Sequence, residues 1–246
     1  MSPSLHAAAR RATAEGIGTA TLVAAVVGSG IMATNLTSDV GLQLLINAVA
    51  TIAALAVLIW SLGPISGAHF NPAVTLVAVT RREMPRAEAG LYITAQIIGA
   101  LLGTVVAHLM FTLPAATLST KHRTGAGQWL GEVIATAGLL SLIGALTRTG
   151  LGRLGPALVP AWIGAAYFFT SSTSFANPAV AIGRSITNTF SGITPADVPA
   201  FIAAQLIGAA LGAGLTELFY PRQGVPEPLD LPAPVHDNPD QPLPDC

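Results

Sequence analysis

The sequence is poor in charged residues. Only 9% of its 246 residues are charged, whereas a soluble domain carries about 25%. Apolar residues make up 52% and the mean hydropathy is +0.63, which disfavours a water-soluble globule. The formal net charge of -1 gives no field that would attract nucleic acid, so membrane lipid is the expected partner.

The sequence also lacks the residues of a metal site or a catalytic centre. Its single cysteine, Cys246, is the last residue, so neither a disulfide framework nor a thiolate metal site can form. The serines at 171, 172 and 174 have no His or Lys close in sequence that would act as a base. We therefore expect no enzyme activity, no metal and no cofactor.

Six apolar stretches are each long enough to cross a membrane, which takes about 20 residues. The first follows the N-terminus without the short apolar region and cleavage site of a signal peptide, so we interpret it as a retained span. Six spans place both termini on the same side and predict an all-α membrane protein. The stretches are 12–34, 40–62, 88–109, 128–147, 155–175 and 197–219.

The distribution of Lys and Arg predicts the orientation. Eight of these residues lie on the side of the termini and three on the other, which makes both termini cytoplasmic and the inner membrane the expected location. We divide the chain into a cytoplasmic N-terminus at 1–11, a membrane channel domain at 12–220 and a Pro-rich, acidic tail at 221–246. The tail is predicted to be cytoplasmic and disordered. The first group is Arg10, Arg11, Arg81, Arg82, Arg86, Arg148, Arg153 and Arg222; the second is Lys121, Arg123 and Arg184.

The chain contains an internal duplication. Residues 93–104 (ITAQIIGALLGT) and 202–213 (IAAQLIGAALGA) match at eight of twelve positions. Each half also has a Glu early in a span, an Asn-Pro-Ala, and a Gln followed by Gly-x-x-x-Gly. Because three spans per half is an odd number, the two repeats, about 12–109 and 128–220, are expected to be inverted in the membrane, with a transport site at its midplane.

The two Asn-Pro-Ala sequences, at Asn71 and Asn177, predict the starts of short helices, because Asn favours the N-cap and Pro the first helical position. The first such helix, up to Thr80, is long enough to cross only half of the membrane core. In an inverted repeat the two helices meet tip to tip at mid-membrane. Each Asn oxygen then caps its own helix while the amide faces the lumen, and the two positive helix ends repel cations and protons.

The segments SGAHFNPAVTL (66–76) and SFANPAV (174–180), with the paired Glu and Gln residues, resemble the aquaporin or major intrinsic protein family. The resemblance implies a homotetrameric channel for small neutral solutes, in which each protomer has its own pore. It implies that Glu15 and Glu132 accept hydrogen bonds from the half-helix loops, and that His69 braces a loop or lines the pore. The implied pore motifs are Asn71, Pro72, Ala73, Asn177, Pro178 and Ala179.

The residues that would form the outer constriction depart from the family pattern. Counted by the family's spacings, they are Thr51, Ala165, Ser174 and Val180, where Val180 replaces the usual Arg. All four are small, and none is aromatic or charged, so we expect a wide pore with low discrimination by size. The loss of the Arg resembles bacterial members associated with arsenic resistance, which implies that water, glycerol-sized polyols and metalloid hydroxides such as arsenous acid pass.

Several alternatives stay open. Arg184, one helical turn beyond Val180, either extends into the outer vestibule and attracts anions or solutes, or is an interfacial Arg that reaches toward water. A water-selective aquaporin would keep the same fold, as would a protein with an occluded pore. An ion-coupled secondary transporter can also contain inverted repeats and broken helices.

Overall fold

The computed structural model describes residues 3–222, which form eight α-helices with no strand among them. Two short 3-10 turns, Gly152–Leu154 and Pro195–Asp197, precede α6 and α8. The all-helical fold predicted from the sequence is confirmed. The helices are α1 (Pro3–Leu36), α2 (Val40–Ser66), α3 (Pro72–Thr80), α4 (Arg86–Met110), α5 (Ala126–Arg148), α6 (Gly155–Phe169), α7 (Pro178–Arg184) and α8 (Val198–Phe219).

Five of the helices, α1, α2, α4, α5 and α8, are long and apolar enough to cross a membrane. The fifth predicted span, 155–175, corresponds to α6, which has only 15 residues and rises about 22 Å. Helix α6 ends six residues before the predicted end of the span because the chain bends there toward the second Asn-Pro-Ala turn. Of the predicted tail at 221–246, only the first two residues are described, and the rest lies outside the described residues.

Two pairs of long helices, α1 with α4 and α5 with α8, pack closely through the Gly-x-x-x-Gly positions. A Cβ at Gly103 of α4 would lie 2.2 Å from the Ala20 carbonyl oxygen of α1. A Cβ at Gly212 of α8 would lie 2.4 Å from the Ala137 carbonyl oxygen of α5. Only glycine allows these backbones to approach so closely, so the same device holds both pairs together.

The half-helices α3 and α7 lie between these pairs. Helix α3 contacts α4 and α8, helix α7 contacts α8, α4 and α1, and the two half-helices also contact each other. Their N-termini meet inside the molecule, and each helix runs outward from the meeting point. We call the face where α1 begins and α8 ends the terminal face, and the other face, where α7 ends, the opposite face.

The outward surface of the long helices is apolar. Large side chains such as Val57, Trp60, Leu102 and Leu218 are between 55% and 74% exposed. Apolar surface of this extent is unfavourable in water and favourable in lipid or against another membrane protein. The fold therefore presents its apolar side chains outward while polar groups, described below, gather inside.

Candidate functional site

The first Asn-Pro-Ala turn places Asn71 at the N-cap of α3 and Pro72 at its first position. The Asn71 side-chain oxygen accepts a hydrogen bond from the Ala73 backbone N–H at 2.9 Å. Its Nδ2 donates to the carbonyl of Ala176, in the loop before the other half-helix, at 2.7 Å. Asn71 therefore caps its own helix and binds the opposite loop at the same time.

The second turn repeats this arrangement. The Asn177 oxygen accepts from the N–H groups of Ala179 and Val180, at 3.0 and 3.3 Å, and Pro178 opens α7. Its Nδ2 donates to the Phe70 carbonyl at 2.8 Å. The predicted capping by the oxygens is seen at both turns. Each amide, however, uses one of its two N–H groups for the other loop, so only one remains for the lumen.

The loops before the two Asn residues have the same unusual backbone. Ala68 and Phe70, which lie three and one residues before Asn71, have φ values of 50° and 48°. Ser174 and Ala176, at the same offsets from Asn177, have φ values of 52° and 47°. Residues with a Cβ rarely adopt this left-handed conformation, so surrounding hydrogen bonds must hold it.

Glu15 supplies these bonds for the first loop. Its two carboxylate oxygens accept from the N–H groups of His69 and Phe70, at 3.0 and 2.6 Å. They also accept from the Ser66 hydroxyl and the Gln96 amide, at 2.7 and 2.8 Å. Four donors make a fully buried carboxylate tolerable in the interior of a membrane protein.

Glu132 does the same for the second loop. Its oxygens accept from the N–H groups of Phe175 and Ala176, at 2.9 and 2.8 Å, and from the Gln205 amide at 2.6 Å. Glu132 and Gln205 are both fully buried. The structure therefore places both Glu residues where the resemblance predicted them, as acceptors for the half-helix loops.

His69 lies beside the first loop. Its Nδ1 is 3.1 Å from the Thr75 hydroxyl of α3, and its ring meets the Tyr92 ring edge-on with the centroids 5.5 Å apart. The Tyr92 hydroxyl in turn donates to the Ser66 carbonyl at 2.9 Å. His69 braces the loop and also lines the cavity described next, so both expected roles meet in one residue.

A cavity of about 300 Å³ runs past the tips of the two half-helices. Asn71 and Asn177 line its middle, and Arg81, at the end of α3, lines its terminal end. Arg184, at the end of α7, lines the part nearest the opposite face. The two half-helices thus direct their N-termini at the middle of the cavity and their last residues at its ends.

Three of the four predicted constriction residues, Thr51, Ser174 and Val180, line this cavity, but Ala165 does not. Ala165 is exposed on the outward side of α6. Its helix instead presents Ile163 and Tyr167, which are four residues apart and therefore share a face. The assignment of Ala165 is wrong because it assumed the family's number of residues between this helix and the Asn-Pro-Ala turn.

Tyr167 changes the chemistry of the cavity. Its hydroxyl donates to the Thr51 hydroxyl at 3.2 Å, which joins α6 to α2 across the cavity wall. The four assigned constriction residues are neither aromatic nor charged, but the cavity wall beside them also includes Tyr167 and Arg184. The signal that could have identified Tyr167 is its helical spacing of four from Ile163.

Arg184 is 3% exposed, so it is not an interfacial Arg that reaches toward water. Its Nε donates to the Ser191 carbonyl, and its guanidinium carbon lies 3.3 Å from the centre of the Phe175 ring. A guanidinium over an aromatic face is held by a cation–π interaction. Arg184 is therefore a fixed positive charge at the cavity wall.

Comparison with known proteins agrees with this geometry. Residues 3–175 match the family model described as Major intrinsic protein. The chain is 54% identical over 206 residues to Aquaglyceroporin AqpS of Rhizobium meliloti (strain 1021), covering 84% of this chain and 88% of that protein. It is 29% identical over 205 residues to Probable aquaporin NIP7-1 of Arabidopsis thaliana, covering 81% and 72%.

Among solved structures, the X-ray structure of the aquaglyceroporin from Plasmodium falciparum matches with a TM-score of 0.64. The match covers 87% of this chain and 96% of that one at 20% identity, and it shows the shared fold. The family model, the relative with 54% identity and the paired Asn turns lead to the same assignment. This chain therefore belongs to the major intrinsic protein family, the family of the aquaporins.

Proposed function

We propose that this protein is a passive transmembrane channel for small uncharged solutes. The observation that carries the proposal is the reciprocal pair of hydrogen bonds from Asn71 and Asn177 to each other's loops. These bonds fix two helix N-termini, each equivalent to roughly +0.5 charge, at the middle of a cavity. A neutral solute with hydroxyl groups passes such a site, whereas a cation is repelled.

Water and glycerol-sized polyols are the proposed solutes, and metalloid hydroxides such as arsenous acid are a further group. The relative with 54% identity is named an aquaglyceroporin, which supports polyol passage. The small side chains of Thr51, Ser174 and Val180 leave room beside Tyr167. Arsenous acid is neutral and similar in size to glycerol, so a pore that passes glycerol is expected to accept it.

A water-selective channel is the second candidate. Tyr167 adds an aromatic ring to the cavity wall, and Arg184 adds a positive charge. Both side chains narrow the space that is left free where Val180 replaces the family's Arg. If the Tyr167 hydroxyl and the Thr51 hydroxyl remain bonded during transport, this cross-section favours water over glycerol.

We further propose the arrangement in the membrane. The two halves, about 12–109 and 128–220, form inverted repeats, with α1 to α4 matched to α5 to α8. The terminal face is cytoplasmic, since it carries eight of the eleven Lys and Arg residues. The exposed apolar helix surfaces are covered by lipid and by three further copies of the chain in a homotetramer.

The proposal is tested by light scattering from liposomes that contain the full chain and are mixed rapidly with hyperosmotic glycerol. One trace reports both water leaving and glycerol entering, and empty liposomes are the control. Fast shrinkage followed by fast reswelling supports a polyol channel. Fast shrinkage alone supports the water-selective candidate, and a trace equal to that of empty liposomes refutes both.

Arsenous acid is tested on the same liposomes. At neutral pH we expect faster arsenite uptake than into empty liposomes, with no dependence on a sodium or proton gradient. Gradient-dependent, saturable uptake would instead indicate an ion-coupled transporter.

A further inference from the structure

Positive charge gathers at the opposite face, beside the end of the cavity. Lys121, Arg123 and Arg184 lie there, and each is in contact with Phe175 or Phe190. None of the three forms an ion pair with a carboxylate of the described residues through its side chain. The charge of Glu132 acts on Arg123 and Arg184 from beyond ion-pair distance, so the face holds three cations without a direct ion-pair partner among the described residues.

Among the described residues, the carboxylates in the loops at this face are those of Asp39 and Asp197, and both are engaged elsewhere. Asp39 caps α2 by accepting from the Leu42 N–H at 2.8 Å. Asp197 accepts from the backbone N–H of Arg123 at 2.8 Å and lies 3.4 Å from His122 Nδ1. Neither reaches the guanidinium of Arg123 or Arg184.

The two arginines are anchored in the same way. Arg184 Nε donates to the Ser191 carbonyl, and Arg123 Nε donates to the carbonyl of the next residue, Gly192, at 2.8 Å. Both guanidinium groups also lie near the ring of Phe175, at 3.3 and 5.2 Å from its centre. No described residue accepts a hydrogen bond from the terminal nitrogens of either arginine.

Repulsion and burial oppose this arrangement when it is empty. Burial lowers the pKa of Arg123. Burial also lowers the pKa of Lys121, as do the nearby charges of Arg123 and Arg184. An anion would relieve the repulsion and supply acceptors for the unpaired donors.

We propose that the terminal nitrogens of Arg123 and Arg184 form a binding site for an oxyanion of the size of inorganic phosphate. Planar guanidinium groups bind the oxygens of phosphate in pairs, and the Nε anchors and Phe175 hold both groups in place for this. Lys121, whose side chain is less constrained, adds attraction at the rim of the site.

The site has a consequence for transport, which rests on the proposed function. Because Arg184 lines the cavity, an anion bound to it occupies space at the cavity end nearest the opposite face. Bound phosphate therefore slows the entry of neutral solutes from that face. Under this proposal the site senses external oxyanions without conducting them.

Binding is tested by thermal unfolding of the purified full chain, with sodium phosphate replacing sodium chloride at constant ionic strength. We expect a saturable rise in Tm of about 3 °C at high phosphate. Arg123→Gln and Arg184→Gln abolish the saturable part, whereas Arg153→Gln, an exposed residue on the terminal face, retains it. If Arg184→Gln does not fold, Arg123→Gln still provides the test, because Arg123 is only half-buried.

Comparing the rise in Tm between Arg153→Gln and the two site variants distinguishes binding at this site from the general stabilisation that phosphate gives to proteins. Equal rises in Tm for wild type and Arg123→Gln would show an adventitious ion only and would overturn the proposal. The second measurement is glycerol reswelling of liposomes with and without external phosphate. We expect phosphate to slow the glycerol reswelling of wild-type liposomes about twofold. The reswelling rate of Arg123→Gln liposomes should be the same with and without phosphate.

The two measurements distinguish the failure of this inference from the failure of the proposed function. Liposomes that show no glycerol or water flux in chloride alone would refute the channel, while the Tm titration would still report binding. Normal flux in chloride with no phosphate-dependent Tm in wild type would refute the anion site and leave the channel proposal intact.

Discussion

Each turn asparagine accepts hydrogen bonds through its side-chain oxygen and donates one through its amide N–H. Asn71 accepts from Ala73 in its own helix and donates to the Ala176 carbonyl of the other loop. Aspartate can make the first bond but not the second, and its charge would face a carbonyl oxygen. The choice of Asn over the other good N-cap residues therefore follows from the need to join the two halves.

We predict that Asn71→Asp lowers the free energy of unfolding by about 1–3 kcal/mol, because a buried carbonyl loses its donor and meets a like partial charge. The measurement is the thermal unfolding of the purified protein. The matched control is Asn188→Asp, since the exposed Asn188 uses only its oxygen, as an acceptor from Thr120. Equal losses in the two variants would contradict the role given to the amide.

Tyr167 is the residue through which we expect solute size to be controlled. We predict that Tyr167→Ala increases the ratio of glycerol to water permeability by about tenfold, since removing the ring widens the cavity beside Thr51. Ala165→Gly, on the outward side of the same helix, should leave the ratio unchanged. Stopped-flow light scattering gives both permeabilities. An unchanged ratio in Tyr167→Ala would place the constriction elsewhere.

At the scale of whole elements, α5 packs closely against α8 at glycine positions. Gly212 and Gly214 lie on the same helix but in different surroundings. A Cβ at Gly212 would meet the Ala137 carbonyl at 2.4 Å and the Leu140 Cβ at 2.9 Å, while one at Gly214 would meet nothing within 4 Å. The pair separates the effect of packing from that of helix propensity.

We predict that Gly212→Ala destabilises the protein by about 1–3 kcal/mol through forced separation of the helices. Gly214→Ala should be neutral or stabilising, because Ala favours a helix over Gly by about 1 kcal/mol. Unfolding by heat or denaturant in the same detergent measures both. A loss of stability in Gly214→Ala equal to that in Gly212→Ala would rule out the close crossing as the cause.

The features that could be predicted from the sequence are those set by residues close together in the chain. The starts of α3 and α7 were predicted, because they follow from Asn and Pro at adjacent positions. The Gly-x-x-x-Gly spacing noted in both halves lies where the long helices come closest. The pore-facing side of α6 depends on the loop between this helix and Asn177, and counting residues across a loop selected Ala165 instead of Tyr167.

Arg123 was missed for a related reason. It lies in a long connection, more than fifty residues from Phe175 and Arg184 in sequence, and nothing local indicates that the chain brings them together. The positions of Glu15 and Glu132 were anticipated from the resemblance. Their hydrogen bonds to the left-handed loops explain why carboxylates are retained inside the membrane.

For the molecule as a whole, the proposed function makes charge along the cavity the property that selects solutes. Two half-helix N-termini face its middle, and Arg184 stands toward the opposite face. The buried carboxylates of Glu15 and Glu132 accept from the loop N–H groups behind the half-helix tips and are not among the residues that line the cavity. Glu83 is the acidic residue at the cavity wall among the described residues, and it lies at the terminal end.

This arrangement predicts that the channel conducts glycerol without conducting protons. For a cation about 5 Å from each helix end at an effective dielectric of about 20, the repulsion is roughly 2 kcal/mol per helix. Two helices together then suppress cation occupancy by several hundredfold, before the cost of dehydration is added. Neutral solutes feel no such barrier and keep their hydrogen bonds to the Asn amides.

The prediction is checked with liposomes that contain a pH-sensitive dye, valinomycin and a potassium gradient, so that charge movement does not limit proton flow. The dye signal should decay at the rate of empty liposomes while the same preparation reswells rapidly in glycerol. A collapse of the pH gradient that depends on the protein would mean that water forms an unbroken proton-conducting chain past Asn71 and Asn177. That result would contradict the prediction that the two helix N-termini at the middle of the cavity repel cations.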